Sequence, residues 1–104
     1  MIEDKLRITL LYDFYQNLLT LKQQQILTMY FENDLTMQEI ADNLNISKAA
    51  VNDQIKRSAK ILEDYESKLN LVLRYNKRKQ IYQKLLLVDN VDVKKYVNDL
   101  IESE

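Results

Sequence analysis

Residues 35–58 read LTMQEIADNLNISKAAVNDQIKRS. Two helix starts are written into this stretch. Thr36 with Glu39 three residues on makes a capping box, in which a hydroxyl and a carboxylate each take up an otherwise orphaned backbone N–H. Leu35 and Ile40 bracket that cap as a hydrophobic staple. Ser47 is a second N-cap, with Ile46 and Val51 as a second staple. Between the two, Asn45 stands where the chain must turn; after glycine, asparagine tolerates the left-handed conformation best. Ala41 supplies the small side chain that two closely crossing helices need. The spacing predicts a helix over about 37–44, a tight turn and a second helix from 48, a helix-turn-helix at about 36–58.

The elements outward from this core read as helices too. Leu11, Phe14, Tyr15 and Leu18 recur at i, i+3, i+4 and i+7, one apolar stripe of a first helix over about 3–19. Thr20 and Gln23 form another capping box, opening a second helix over about 21–32 with Ile26, Leu27, Tyr30 and Phe31 as candidate core. Asn33 and Asp34 suit the turn that follows. From Ser47 the apolar pattern continues through Val51, Ile55, Leu62, Tyr65, Leu69 and Val72, with Ser58 at one further seam position. No breaker interrupts it before about Leu73, so a long fourth helix is expected, packed on the flanking helices or on another chain. Another helix should run to about Val88. Asp92 is expected to cap a last one, with Tyr96, Val97, Leu100 and Ile101 on one face, and the final Glu-Ser-Glu to fray.

Composition agrees with an all-α fold. The 104 residues include no glycine and no proline. A sheet protein of this length would normally use glycine at its hairpins, whereas helices joined by Asn, Asp and Thr turns need none. The length suits a single helical domain, 1–104. The absence of cysteine and histidine leaves no thiol nucleophile, no imidazole base and no Cys- or His-based metal site. No glycine-rich loop can cradle a phosphate. Clustered carboxylates at Glu63, Asp64 and Glu66 read as solvent-facing acids paired along their helix with Lys60 and Lys68. No catalytic residue, metal or cofactor is therefore expected, and the chain does not read as an enzyme. The opening MIEDKLRITLLYDFYQ is too charged for a signal peptide, no run approaches a membrane span, and a cytoplasmic location is expected.

The formal charge of −1 conceals a partition. Residues 47–84 carry ten basic and four acidic side chains, a net of +6, and the rest carry five basic and twelve acidic, a net of −7. Screening confines charge effects to about 10 Å at 0.1 M salt, so the basic part can meet an anion despite the overall balance. If Val51 and Ile55 point inward, the outward stripe of the second helix is Ala49, Asn52, Asp53, Lys56 and Lys60, with Ser47 and Lys48 at its tip. In a helix-turn-helix that tip enters the major groove. Asn52 is the candidate base reader, since its amide matches adenine, and Lys48 would reach a guanine or a phosphate. Lys56, Arg57 and Lys60 are candidate phosphate contacts, and Asp53 is an awkward neighbour for them. A second basic surface is expected over residues 74–84, RYNKRKQIYQK, with Arg74, Lys77, Arg78, Lys79 and Lys84. The alternative for either surface is a solvated helix face or a protein contact.

The stretch 17–62, with LTLKQQQIL and LTMQEIADNLNIS, resembles region 4 of bacterial sigma factors, whose helix-turn-helix reads a promoter element. LLYDFYQNLLTLKQQQIL, LTMQEIADNLNISKAAVNDQIKR, LEDYESKL and RKQIYQKL together resemble the YlxM family of low-GC Gram-positive bacteria and their relatives, over nearly the whole chain. The resemblance implies an all-α fold like sigma region 4. It also implies a regulatory DNA-binding role linked to the signal recognition particle, beside whose GTPase such proteins are typically encoded. The particle's RNA or GTPase and DNA are thus the implied partners; a second copy of the chain is expected separately, because recognition helices commonly work in symmetric pairs. Lys48 stands where relatives often have arginine, and Asn52 where an aromatic is common.

Overall fold

A computed structural model describes residues 2–104, with side chains from Lys5 onward; the opening acids Glu3 and Asp4 lie outside the described side chains. Six α-helices and no strand occur among the described residues. They are α1 (Ile2–Tyr15), α2 (Leu21–Leu27), α3 (Met37–Leu44), α4 (Lys48–Leu69), α5 (Leu71–Leu86) and α6 (Val91–Glu102). The expected first helix is shorter than its apolar stripe suggests. It ends at Tyr15 and tightens into a 3₁₀ turn over Gln16–Leu18, which leaves Leu18 half-exposed and buries Tyr12 instead. The second helix begins at the capping box, with Thr20 and Gln23 each bonding the other's backbone N–H. It widens into a π segment over Thr28–Glu32.

The chain packs as two units, Met1–Asn70 and Leu71–Glu104. In the first, α4 is the central element, touching α1, α2 and α3. Leu11, Tyr12, Tyr15, Ile26, Leu27, Ile40, Val51 and Leu62 are almost wholly buried there. Side chains of this size each contribute about 1.5–3 kcal/mol on burial. Two polar contacts tie α1 to the C-terminal half of α4. Arg7 makes a forked pair with Glu63, its Nη2 at 2.7 Å, and the Tyr15 hydroxyl donates to Glu66 at 2.5 Å. The Glu63 hydrogen bond holds the Arg7 guanidinium above its ordinary pKa. Of the clustered acids of α4 only Asp64 faces solvent as expected, and no ion pair joins it to Lys60 or Lys68 among the described residues. Glu63 reaches across to Arg7, and Glu66 turns inward to 7% exposure. The seam also shifts, because Glu66 takes the buried place expected for Tyr65, which stacks on Tyr15 at 6.0 Å.

The long fourth helix stops at Leu69, short of the expected end near Leu73. Asn70 adopts φ 55°, ψ 31°, left-handed, and its N–H closes on Glu66 O. The reason is the one already legible at Asn45: asparagine ends helices where glycine is absent. In the second unit α5 and α6 form an antiparallel hairpin around Val72, Tyr82 and Val97. The cap of α6 is Asn90, whose Oδ1 accepts from Val93 N at 3.1 Å; Asp92 sits instead in the first turn, favourable for the helix dipole. Nor is the last residue loose. Arg78 forks onto the Glu104 carboxylate at 2.9 Å, and Tyr82 donates to the same group.

Candidate nucleic-acid interface

The helix-turn-helix is built from the residues that announce it. Thr36 Oγ1 accepts from Glu39 N, and Glu39 Oε1 accepts from Thr36 N, both at 3.0 Å. Those hydrogen bonds hold the Glu39 carboxyl below its ordinary pKa. Asn45 is left-handed at φ 57°, ψ 44°, and the N–H groups of Asn45 and Ile46 both close on Ala41 O. Ala41 is buried at the crossing. Ser47 Oγ accepts from Ala50 N at 3.0 Å and starts α4, a cap of the kind that contributes about 1 kcal/mol. α3 and α4 are therefore locked by two N-caps and the turn, with Ile40, Val51 and Ile55 beneath.

What α4 turns outward is the expected stripe. Ser47, Lys48, Ala49, Lys56, Arg57 and Lys60 are exposed, and Asn52 is half-buried between them. Positions 48 to 60 span about 18 Å of helix at 1.5 Å per residue. That is enough to follow the floor of a groove and reach its wall. Lys48, Lys56 and Lys60 have no ion-pair partner among the described residues. Arg57 does: its Nε lies 2.8 Å from Asp53 Oδ2. The awkward acid thus neutralises Arg57 rather than standing alone. At 70% and 55% side-chain exposure such a pair is worth about 0.3–0.5 kcal/mol, so a phosphate can displace it. The i, i+4 spacing was the signal for this pair in the sequence.

The second basic run divides. Arg74, Lys77, Lys79 and Lys84 are exposed on α5, while Arg78 is committed to Glu104. That hydrogen-bonded fork raises the Arg78 pKa and lowers that of Glu104. The Glu104 hydrogen bond raises the Tyr82 pKa as well. No sequence signal joins residues 26 apart. Tyr82 is core and Tyr75 is half-buried on the same side, so neither stands out as a stacking platform. Beside them Lys79, Gln83, Leu86 and Ile101 line a half-open groove of about 230 Å³. Among the described residues no group of acids could hold a metal ion, and no helix is long and apolar enough to cross a membrane.

Comparison with known proteins agrees with this architecture. A family profile described as "Putative helix-turn-helix protein, YlxM / p13 like" (UPF0122) matches residues 2–103. The UPF0122 protein of Malacoplasma penetrans is 50% identical over 82 residues, 79% of this chain and 77% of its own length. That of Halalkalibacterium halodurans is 44% identical over 85 residues, covering 82% and 78%. That of Staphylococcus epidermidis is 43% identical over 101 residues, covering 95% and 92%. The description is of a helix-turn-helix protein and not of an enzyme. Match length, identity and the capped helix pair lead to one conclusion: the chain belongs to the UPF0122 family of YlxM/p13-like helix-turn-helix proteins.

Proposed function

We propose that this protein is a cytoplasmic regulator that binds duplex DNA through the outer stripe of α4. The observation that carries the reading is the division of that helix. One face is buried under α1, α2 and α3; the other presents Lys48, Ala49, Lys56 and Lys60 exposed, with Asn52 half-buried between them. Lys48, Ala49 and Asn52 meet base edges, Asn52 by its bidentate match to adenine. Ser47 and the free N–H groups of the first turn approach the backbone, and Lys56, Arg57 and Lys60 hold phosphates. Two copies act together, as recognition helices commonly do on two half-sites. The test is fluorescence anisotropy on duplex DNA across a salt series. Lys56→Ala with Lys60→Ala should weaken binding and flatten the slope of log K against log salt by about 0.9 per lost contact. Unchanged affinity and slope would remove these residues from the interface.

A second reading rests on the exposed bases of α5. In it the protein is an accessory of the signal recognition particle and holds the particle's RNA or GTPase with Arg74, Lys77, Lys79 and Lys84. Ultraviolet cross-linking in cells, followed by sequencing of the recovered nucleic acid, separates the two. Discrete duplex sites favour the regulator, and enrichment of the particle's RNA favours the accessory.

A further inference from the structure

The hairpin Leu71–Glu104 is short for a packed unit. Among the described residues only Val72, Tyr82 and Val97 are buried in it. Units below about 40 residues usually depend on a disulfide, a metal or association. The chain has no cysteine, and no metal-ligand cluster forms among the described residues. Association is the stabiliser that the composition leaves open.

The surface for it is visible as two stripes. On α5, away from Val72 and Tyr82, the positions Arg74, Lys77, Ile81 and Leu85 fall at i, i+3, i+7 and i+11, and Val88 extends the row just past the helix end. This is a seam spacing of two helices packed lengthwise. Ile81 is 54% exposed and Val88 46%. On α6 Asp92, Tyr96, Asp99 and Leu100 form a second row, with Tyr96 63% exposed and Leu100 48%. The first row is apolar and basic; the second is apolar with two acids, Asp92 and Asp99, and one base, Lys95, beside them.

We propose that the α5–α6 hairpin is the surface through which two copies of this chain pair. A foreign partner of one sign fits one row and is repelled by the other. A second copy turned end for end supplies both complements, because an isologous contact repeats each pairing twice. Ile81 and Leu85 of each chain then cover Tyr96 and Leu100 of the other in a four-helix bundle. Lys77 and Lys84 lie along Asp92 and Asp99. The inference deepens the paired reading given above, and it does not require that the bound molecule be DNA.

The test is sedimentation equilibrium of the full chain without nucleic acid, over a range of concentrations. The expected mass is twice the 12.4 kDa of one chain. Ile81→Glu with Leu100→Glu should raise the dissociation constant about a hundredfold or more, since burial of those side chains is lost in both copies. Charge exchange gives a test independent of that variant's folding. Lys77→Glu with Lys84→Glu weakens pairing in one preparation, and Asp92→Lys with Asp99→Lys weakens it in another. Mixing the two should restore pairing, because every seam in the mixed pair is again of opposite sign. A single-chain mass at every concentration would overturn the proposal, including the case where that monomer instead co-sediments with anionic vesicles. Pairing undiminished by Ile81→Glu with Leu100→Glu would overturn this surface, and so would a mixture no tighter than its parts. Failure here leaves the anisotropy result untouched, so pairing and DNA binding are judged separately.

Discussion

Single residues in this chain do work that glycine does elsewhere. Among the described residues Asp34, Asn45 and Asn70 have positive φ, all without glycine's freedom, and each closes a helical segment. Asparagine and aspartate stand the conformation because a short polar side chain can bond its own backbone. Asn45 was readable because two capping patterns flank it; Asn70 was not, because no cap follows it and the apolar spacing runs on through Val72. Ser58 shows the reverse case. The seam spacing marked its position as internal, and it is 1% exposed. Among the described residues its Oγ is a buried oxygen without a hydrogen-bond partner. Such a hydroxyl costs its desolvation and returns nothing. Ser58→Ala is therefore expected to leave stability unchanged or raise it by about 1 kcal/mol, read from the urea midpoint; a clear loss would mean that the hydroxyl has a partner in solution.

At the scale of the element, the helix starts were legible and the helix ends were less so. A cap is a local code of four residues, and all of Thr20, Thr36 and Ser47 act as the code says. An end such as that of α1 depends on what the next turn packs against. Asn90 displaced Asp92 as cap because both fit the local pattern and only one lies where the chain enters the helix. The box at α3 also carries a pH signature. The Thr36 hydrogen bonds lower the Glu39 pKa in the folded chain. The stability they add is therefore full above the unfolded pKa of about 4.3 and is lost as pH falls through the lower folded value. Gln23 makes the same reciprocal contact at α2 without a charge. Glu39→Gln is thus expected to keep α3 and to flatten the acid limb of stability below about pH 4.3. Circular dichroism melts of both proteins from pH 3 to 7 would check it, and parallel acid limbs would count against the assignment.

Across the whole molecule, the sequence showed which residues α4 turns outward but not which of its charges are already spent. The stripe from Ser47 to Lys60 follows from helical period alone. The engagement of Arg78 by Glu104, of Glu63 by Arg7 and of Glu66 by Tyr15 joins residues 26, 56 and 51 apart, and no local pattern announces such pairs. The last of these is the most consequential. Removing the donor leaves a buried carboxylate with one bond fewer, and hydrogen bonds to charged groups are worth about 1.5–3 kcal/mol. Tyr15→Phe should lower unfolding stability by about that amount in urea titration while keeping the ring's packing. A change within a few tenths would show that other donors already satisfy Glu66.

The same contact has a consequence in time. Ribosomes add about 5–20 residues per second. Tyr15 is made 51 residues before Glu66, so α1 exists for about 3–10 s before its partner on α4 has been synthesised. During that interval Tyr12 can already meet Gln24 and Thr28, but Tyr15 waits for its partner on α4. The nascent chain passes through a stage in which the apolar residues that α1 buries against α4 are still uncovered, and the two helices are tied to each other only when that wait ends.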